Sequence, residues 1–131
     1  MHTLSIRQPW VELILQGNKD VENRSWTTHH RGLILLHASK ILDFNISEIE
    51  ELKKYEKEFG FRSDSLPYGA IVGTIEIIEV TKEIISPWHG KGMYGWYLTN
   101  PKRFTNPIPF RGSAGIFDVP NKIIKNELLN V

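Results

Sequence analysis

The strongest hydrophobic rhythm in the chain lies between residues 46 and 59. Ile46, Ile49, Leu52, Tyr55 and Phe59 recur at steps of three and four, with Glu and Lys filling most positions between them. That spacing places the apolar residues on one face of a helix. Ser47-Glu48-Ile49-Glu50 has the form of a capping box, and Gly60 stands where such a helix ends. A shorter helix is expected after Pro9, because proline suits a first turn. Trp10, Leu13 and Ile14 share its apolar face, and Gly17 sits at its C-terminal end.

Most of the remaining pattern is that of strands. A short apolar strand at 4–6 and another short strand at 21–24 flank the first helix. Leu33, Ile34, Leu35 and Leu36 form an unbroken apolar run after Arg31-Gly32, and its length favours a buried strand. Residues 70–80 are rich in β-branched side chains and form the clearest strand. Gly73 within it marks a bulge or a close backbone approach. Segments 94–98, 107–110 and 115–119 complete the strand content, and 123–129 reads as a terminal helix. Strands dominate the second half without regular βα alternation. The expected class is therefore α+β with a mainly antiparallel, barrel-like sheet. No repeat or Gly/Ser linker interrupts residues 1–131, which predicts one domain.

Composition narrows the function classes only a little. The 131 residues contain no cysteine, so disulfides and thiolate metal sites are excluded. No apolar run approaches the roughly 20 residues of a membrane-spanning helix. The N-terminal residues have no signal-peptide core, and a cytoplasmic location is expected. Net charge is +1, but residues 45–60 carry five Glu against three Lys, which leaves the rest mildly basic.

Three clusters hold candidate chemistry. Ser5-Ile6-Arg7-Gln8-Pro9-Trp10 lies where a strand passes into a helix, whose free N–H groups attract phosphate or a carbonyl edge. Arg7 adds a planar donor fork, and Gln8 both donates and accepts, as base-edge reading requires. Trp10 itself reads as core. In the second cluster, Lys19, Glu22, Arg24 and Trp26 are close in sequence, and on a strand Glu22 and Arg24 share a face. One carboxylate among Arg7, Lys19 and Arg24 suits a neutral base or a phosphate. It equally suits an activated lysine beside a carboxylate, or a plain solvated charge pattern. The third cluster, His37 and Ser39, follows the apolar strand, with His37 either a proton carrier or a hydrogen-bonded buried histidine. Tyr68, Trp96 and Tyr97 are stacking candidates or core, and Arg111 is expected on a loop. His29-His30 have no spaced acidic partner, so no metal site is expected. Neither P-loop, nucleophile elbow nor H-E-x-x-H occurs, and no cofactor is expected.

Leu4-Ser5-Ile6-Arg7-Gln8-Pro9-Trp10, followed by Gly17-Asn18-Lys19-Asp20-Val21-Glu22-Asn23-Arg24, resembles the opening of the ASCH (activating signal cointegrator-1 homology) domain. Arg31-Gly32 with the following strand and His37-Ala38, Tyr68-Gly69-Ala70, and Phe110-Arg111-Gly112 fit its later course. The resemblance implies a PUA-like β-barrel with a basic cleft beside the first helix. It implies RNA, single-stranded nucleic acid or a modified nucleobase as the ligand. The residues carried over to that cleft are Arg7, Gln8, Lys19, Glu22 and Arg24, with His37 and Ser39 nearby. One branch of the family consists of small amidohydrolases acting on N4-acylated cytidine through a Lys, a Thr three residues later and a later Glu. Lys19 matches that Lys, whereas Glu22 occupies the Thr position, as in the coactivator-like branch. Two alternatives to binding follow: a hydrolase of the amidohydrolase or ribonuclease kind using Lys19 and Glu22, and a protein-interaction module of a translation or transcription complex that presents the 46–59 helix.

Overall fold

The computed structural model describes all 131 residues. Six strands and three helices follow one another as β1 (His2–Gln8), α1 (Trp10–Leu15), β2 (Val21–Arg24), β3 (Gly32–Leu42), α2 (Ile49–Phe59), β4 (Ala70–Thr81), β5 (Tyr94–Pro109), β6 (Ile116–Asp118) and α3 (Asn121–Leu129). The strands form one sheet in the order β2-β5-β4-β3-β1-β6. β1 and β3 run parallel, and every other neighbouring pair is antiparallel. A parallel pair needs a crossover, and α1 with β2 supplies it.

The fold is α+β and barrel-like, in the PUA-like manner, but its ladder does not close. β2 and β6 stand at the two ends of the sheet. Three strands separate β2 from β1 in the ladder, yet Arg24 on β2 donates from Nη2 to the Ser5 carbonyl of β1 at 2.8 Å. The sheet therefore curls until a side chain spans what backbone pairing leaves open. Val11, Ile14 and Leu15 of α1 fill the curl, packing against Leu4, Ile6, Ile34, Leu36, Ile75 and Trp96.

β3 shows why its apolar run is continuous. Ile34 and Leu36 face that interior, whereas Leu35 joins Ile71, Phe104, Val119 and Ile124 beneath α3. A strand covered on both faces has no polar face to present. Leu33, expected with the run, is instead 47% exposed, because α3 does not cover that end of the strand completely. Gly73 proves to be both a bulge and a close approach. The β4–β5 register shifts beside it, and a Cβ there would stand 2.1 Å from the Lys102 carbonyl oxygen.

Three expectations need correction. The segments expected at 94–98 and 107–110 are one strand, β5, whose polar middle bends at Asn100 with φ 54°. Asparagine tolerates that left-handed conformation better than most residues. The capping box starts earlier in the chain, at Asn45 and Glu48 rather than Ser47 and Glu50. Asn45 Oδ1 accepts from the Ser47 N–H at 3.0 Å, and Glu48 Oε1 accepts from the Asn45 N–H at 3.1 Å. The chain thus enters α2 through a 3-10 turn at Ile46–Glu48. That turn takes Ile46 off the apolar face and into solvent, at 92% exposure.

Candidate functional site

The mouth of the curl is a cleft of about 890 Å³ between β1, β2, α1 and α2. Its charged floor comes from β2. Lys19 precedes that strand and is only 6% exposed. Its Nζ donates to the Val21 carbonyl and lies 3.6 Å from Glu22 Oε1. Glu22 Oε2 meets Arg24 Nη2 at 3.0 Å, so one carboxylate is held between two cations. Arg24 also grips the Ser5 carbonyl, and its buried Nε has no hydrogen-bond partner.

Aromatic side chains form the walls. Lys19 Nζ is 5.7 Å from the Trp10 ring centre and 5.9 Å from that of Trp88, within cation–π range of both. Trp10 meets Tyr55 edge-on at 5.4 Å, which joins α1 to α2. Trp10 Nε1 donates to Asp43 Oδ2 at 2.7 Å, and Asp43 Oδ1 pairs with Arg7 Nη1 at 3.2 Å. Trp88 lies on the β4–β5 connection. Asn23 anchors that connection twice, donating to the Trp88 carbonyl at 2.9 Å and accepting from the Gly90 N–H at 2.8 Å.

Burial is the main influence on the ammonium. It pushes the Lys19 pKa below the ordinary 10.5, and the nearby Glu22 carboxylate opposes that shift only in part. Burial likewise raises the Tyr55 hydroxyl above its ordinary value, keeping it a donor. Arg7, Lys19 and Arg24 face Glu22 and Asp43 across the cleft, so its formal charge is close to balanced.

Of the residues expected at the site, Arg7, Lys19, Glu22, Arg24 and Ser39 line the cleft. Gln8 does not. It is 1% exposed, with Oε1 accepting from the Glu12 N–H at 3.0 Å and Nε2 donating to the Pro67 carbonyl at 3.1 Å. Its amide stitches α1 to the segment before β4. His37 lies behind the lining, with both ring nitrogens engaged, at 2.8 Å from Ser5 Oγ and 2.7 Å from the Phe110 carbonyl. Trp10, expected as core, is a cleft wall. Of the expected stacking candidates, Trp96 and Tyr97 are buried, and Tyr68 donates to the Ser63 carbonyl instead. Ser5 and Asn23, within the first two candidate clusters but given no role there, also line it, and the residues missed are Ile41, Asp43, Tyr55, Trp88 and the 113–115 segment. Of these, Tyr55 left a trace in the sequence, as the polar-tipped member of the α2 stripe.

These features describe a small PUA-like module with a charged, aromatic-walled cleft. The ASCH domain family model matches residues 4–108, and the chain belongs to that family. It is 28% identical over 137 residues to human Activating signal cointegrator 1. The mouse protein of that name is 27% identical over 132 residues. Each match covers 92% of this chain but 22% of the relative, so the chain spans under a quarter of those proteins. No helix is long and apolar enough to cross a membrane.

Proposed function

We propose that the cleft binds an unpaired nucleobase, either as a modified nucleoside or within single-stranded RNA. The carrying observation is the Lys19–Glu22–Arg24 floor set beneath the Trp10 and Trp88 indoles. A planar ring seated on that floor would lie against the Trp10 or Trp88 indole beside Lys19, and every base has a π-face to offer. Glu22 and the Ser5 oxygen accept, Arg24 donates and the Ser39 hydroxyl does either, which suits the mixed edge of a base. Arg7 at the rim is placed for a flanking phosphate.

The test is tryptophan fluorescence titration with nucleosides and short single-stranded RNAs. Trp88→Ala and Arg24→Ala are each expected to weaken binding about tenfold, the value of roughly one stacked base or one lost polar anchor. Binding indifferent to both substitutions would remove this cleft from the interaction.

One observation favours a second reading, hydrolysis at Lys19 and Glu22. A lysine held below its ordinary pKa by burial, 3.6 Å from a carboxylate, resembles an activated amine. Mass spectrometry of N4-acylated cytidines after incubation decides between the two. Turnover abolished by Lys19→Ala establishes the hydrolase, and intact bound nucleoside supports the binding module.

A further inference from the structure

Ser5 and His37 are direct partners in the parallel β1–β3 ladder. Ser5 Oγ lies 2.8 Å from His37 Nδ1, and His37 Nε2 lies 2.7 Å from the Phe110 carbonyl oxygen. A carbonyl oxygen only accepts, so Nε2 carries the ring hydrogen. The neutral ring then has a lone pair on Nδ1, and the Ser5 hydroxyl donates to it. This is the nucleophile, base and orienting acceptor of acyl-transfer sites, with a backbone carbonyl as the third member.

The pair opens toward the cleft. Ser5 lines it, whereas His37 is 1% exposed and edged by the Phe117 ring. Gly112 passes directly beside both atoms. A Cβ at that position would stand 2.7 Å from His37 Cε1, 3.1 Å from Nδ1 and 3.2 Å from Ser5 Oγ. Glycine there covers the reacting atoms with no more than a hydrogen, and any side chain would crowd them. Arg24, anchored on Ser5's own carbonyl, puts a fixed positive charge nearby.

We propose that Ser5 and His37 form a nucleophile–base pair that hydrolyses short-chain carboxylic esters entering the cleft. Ser5 Oγ attacks the acyl carbon as its proton passes to His37 Nδ1. The bond from the acyl carbon to the alcohol oxygen breaks, and the alcohol leaves with that proton. Water then attacks the acyl–Ser5 carbon, giving one proton to Nδ1. Oγ recovers that proton as the carboxylic acid departs, so ester and water become acid and alcohol. Desolvation holds the His37 pKa below the ordinary 6.5, which keeps the ring unprotonated at neutral pH, as a base must be. The close passage of Gly112 beside Oγ is what limits the acyl group to a short one.

This activity goes beyond base binding and is read without any nucleic acid. The intact protein is incubated with 4-nitrophenyl acetate and, separately, with a fluorophosphonate probe, and adducts are mapped by peptide mass spectrometry. The expected result is one dominant adduct on Ser5, absent from Ser5→Ala. His37→Gln, which keeps a hydrogen-bonding side chain but no base, is expected to slow labelling about 100-fold. Gly112→Ala, whose methyl group crowds both reacting atoms, is expected to slow it as well. Circular dichroism confirms that each variant is folded. An unlabelled Ser5 in the wild-type protein, or equal labelling of wild type and Ser5→Ala, overturns the proposal and leaves the pair a stitch between β1, β3 and the 110–115 segment.

Discussion

Lys19 illustrates a side chain that opposes the fold which holds it. Its ammonium is almost fully buried, and burial lowers its pKa more than Glu22 raises it. The charged form is therefore costly in the folded state at neutral pH. Lys19→Met keeps the stem packed and removes the charge, while Glu22 retains Arg24 at 3.0 Å. Thermal unfolding is expected to show a gain of about 1 kcal/mol, with nucleobase binding lost, the usual exchange between stability and function. A loss of stability on Lys19→Met would mean that the Glu22 contact outweighs desolvation. His37 gives the corresponding pH prediction. Its depressed folded-state pKa means that the unfolded chain binds a proton first as pH falls. Its contribution is thus intact above the unfolded value of about 6.5 and is lost as pH drops toward the folded value. Midpoints measured across that window should fall more steeply for the wild type than for His37→Gln.

At the scale of elements, the β4–β5 connection is held to β2 largely by side chains. Asn23 makes two hydrogen bonds to it, and Ser86 Oγ donates to Asp20 Oδ1 at 2.6 Å. Asn23→Ala removes two bonds at about 1 kcal/mol each. Faster amide exchange over residues 82–93 and weaker nucleobase binding are expected together, because Trp88 rides on that segment. Unchanged exchange would show that Ser86 and the Tyr97 hydroxyl suffice as anchors. The elements themselves were legible where one physical rule dominated. The α2 stripe, the β-branched β4 and the strand–helix junction at Pro9 all follow from local periodicity. The polar middle of β5 was not legible, since its strand character comes from pairing with β4 around the Gly73 bulge. The site divided in the same way. Arg7, Lys19, Glu22, Arg24 and Ser39 carry charge or hydroxyl chemistry visible in the chain. Trp88 and Asp43 reach the cleft only through tertiary packing. Gln8 offered suitable chemistry, but the Glu12 N–H and the Pro67 carbonyl consume it.

Across the whole molecule, charge is distributed so that attraction to nucleic acid is weak at a distance. Net charge is +1, and the cleft cations are matched at close range by Glu22 and Asp43. A barrel-like curl that brings β2 to β1 through Arg24 concentrates these groups in a pocket rather than along a stripe. Base recognition should therefore rest on stacking and polar edges, with few phosphates neutralised. Arg7, at the end of β1, and Arg111, just before the 113–115 lining, are two exposed cations close to the cleft in chain position. Two phosphate contacts on a single strand give a slope of about −1.4 in log affinity against log salt. Titrations over a range of salt concentrations should return a slope near that value. Arg7→Ala should reduce it by about 0.7 while leaving the preference among bases unchanged, because phosphate contacts position a strand without reading it. A slope steeper than about −4 would require six or more neutralised phosphates. Arg7 and Arg111 alone do not supply that number, and such a result would extend the binding surface beyond these two contacts.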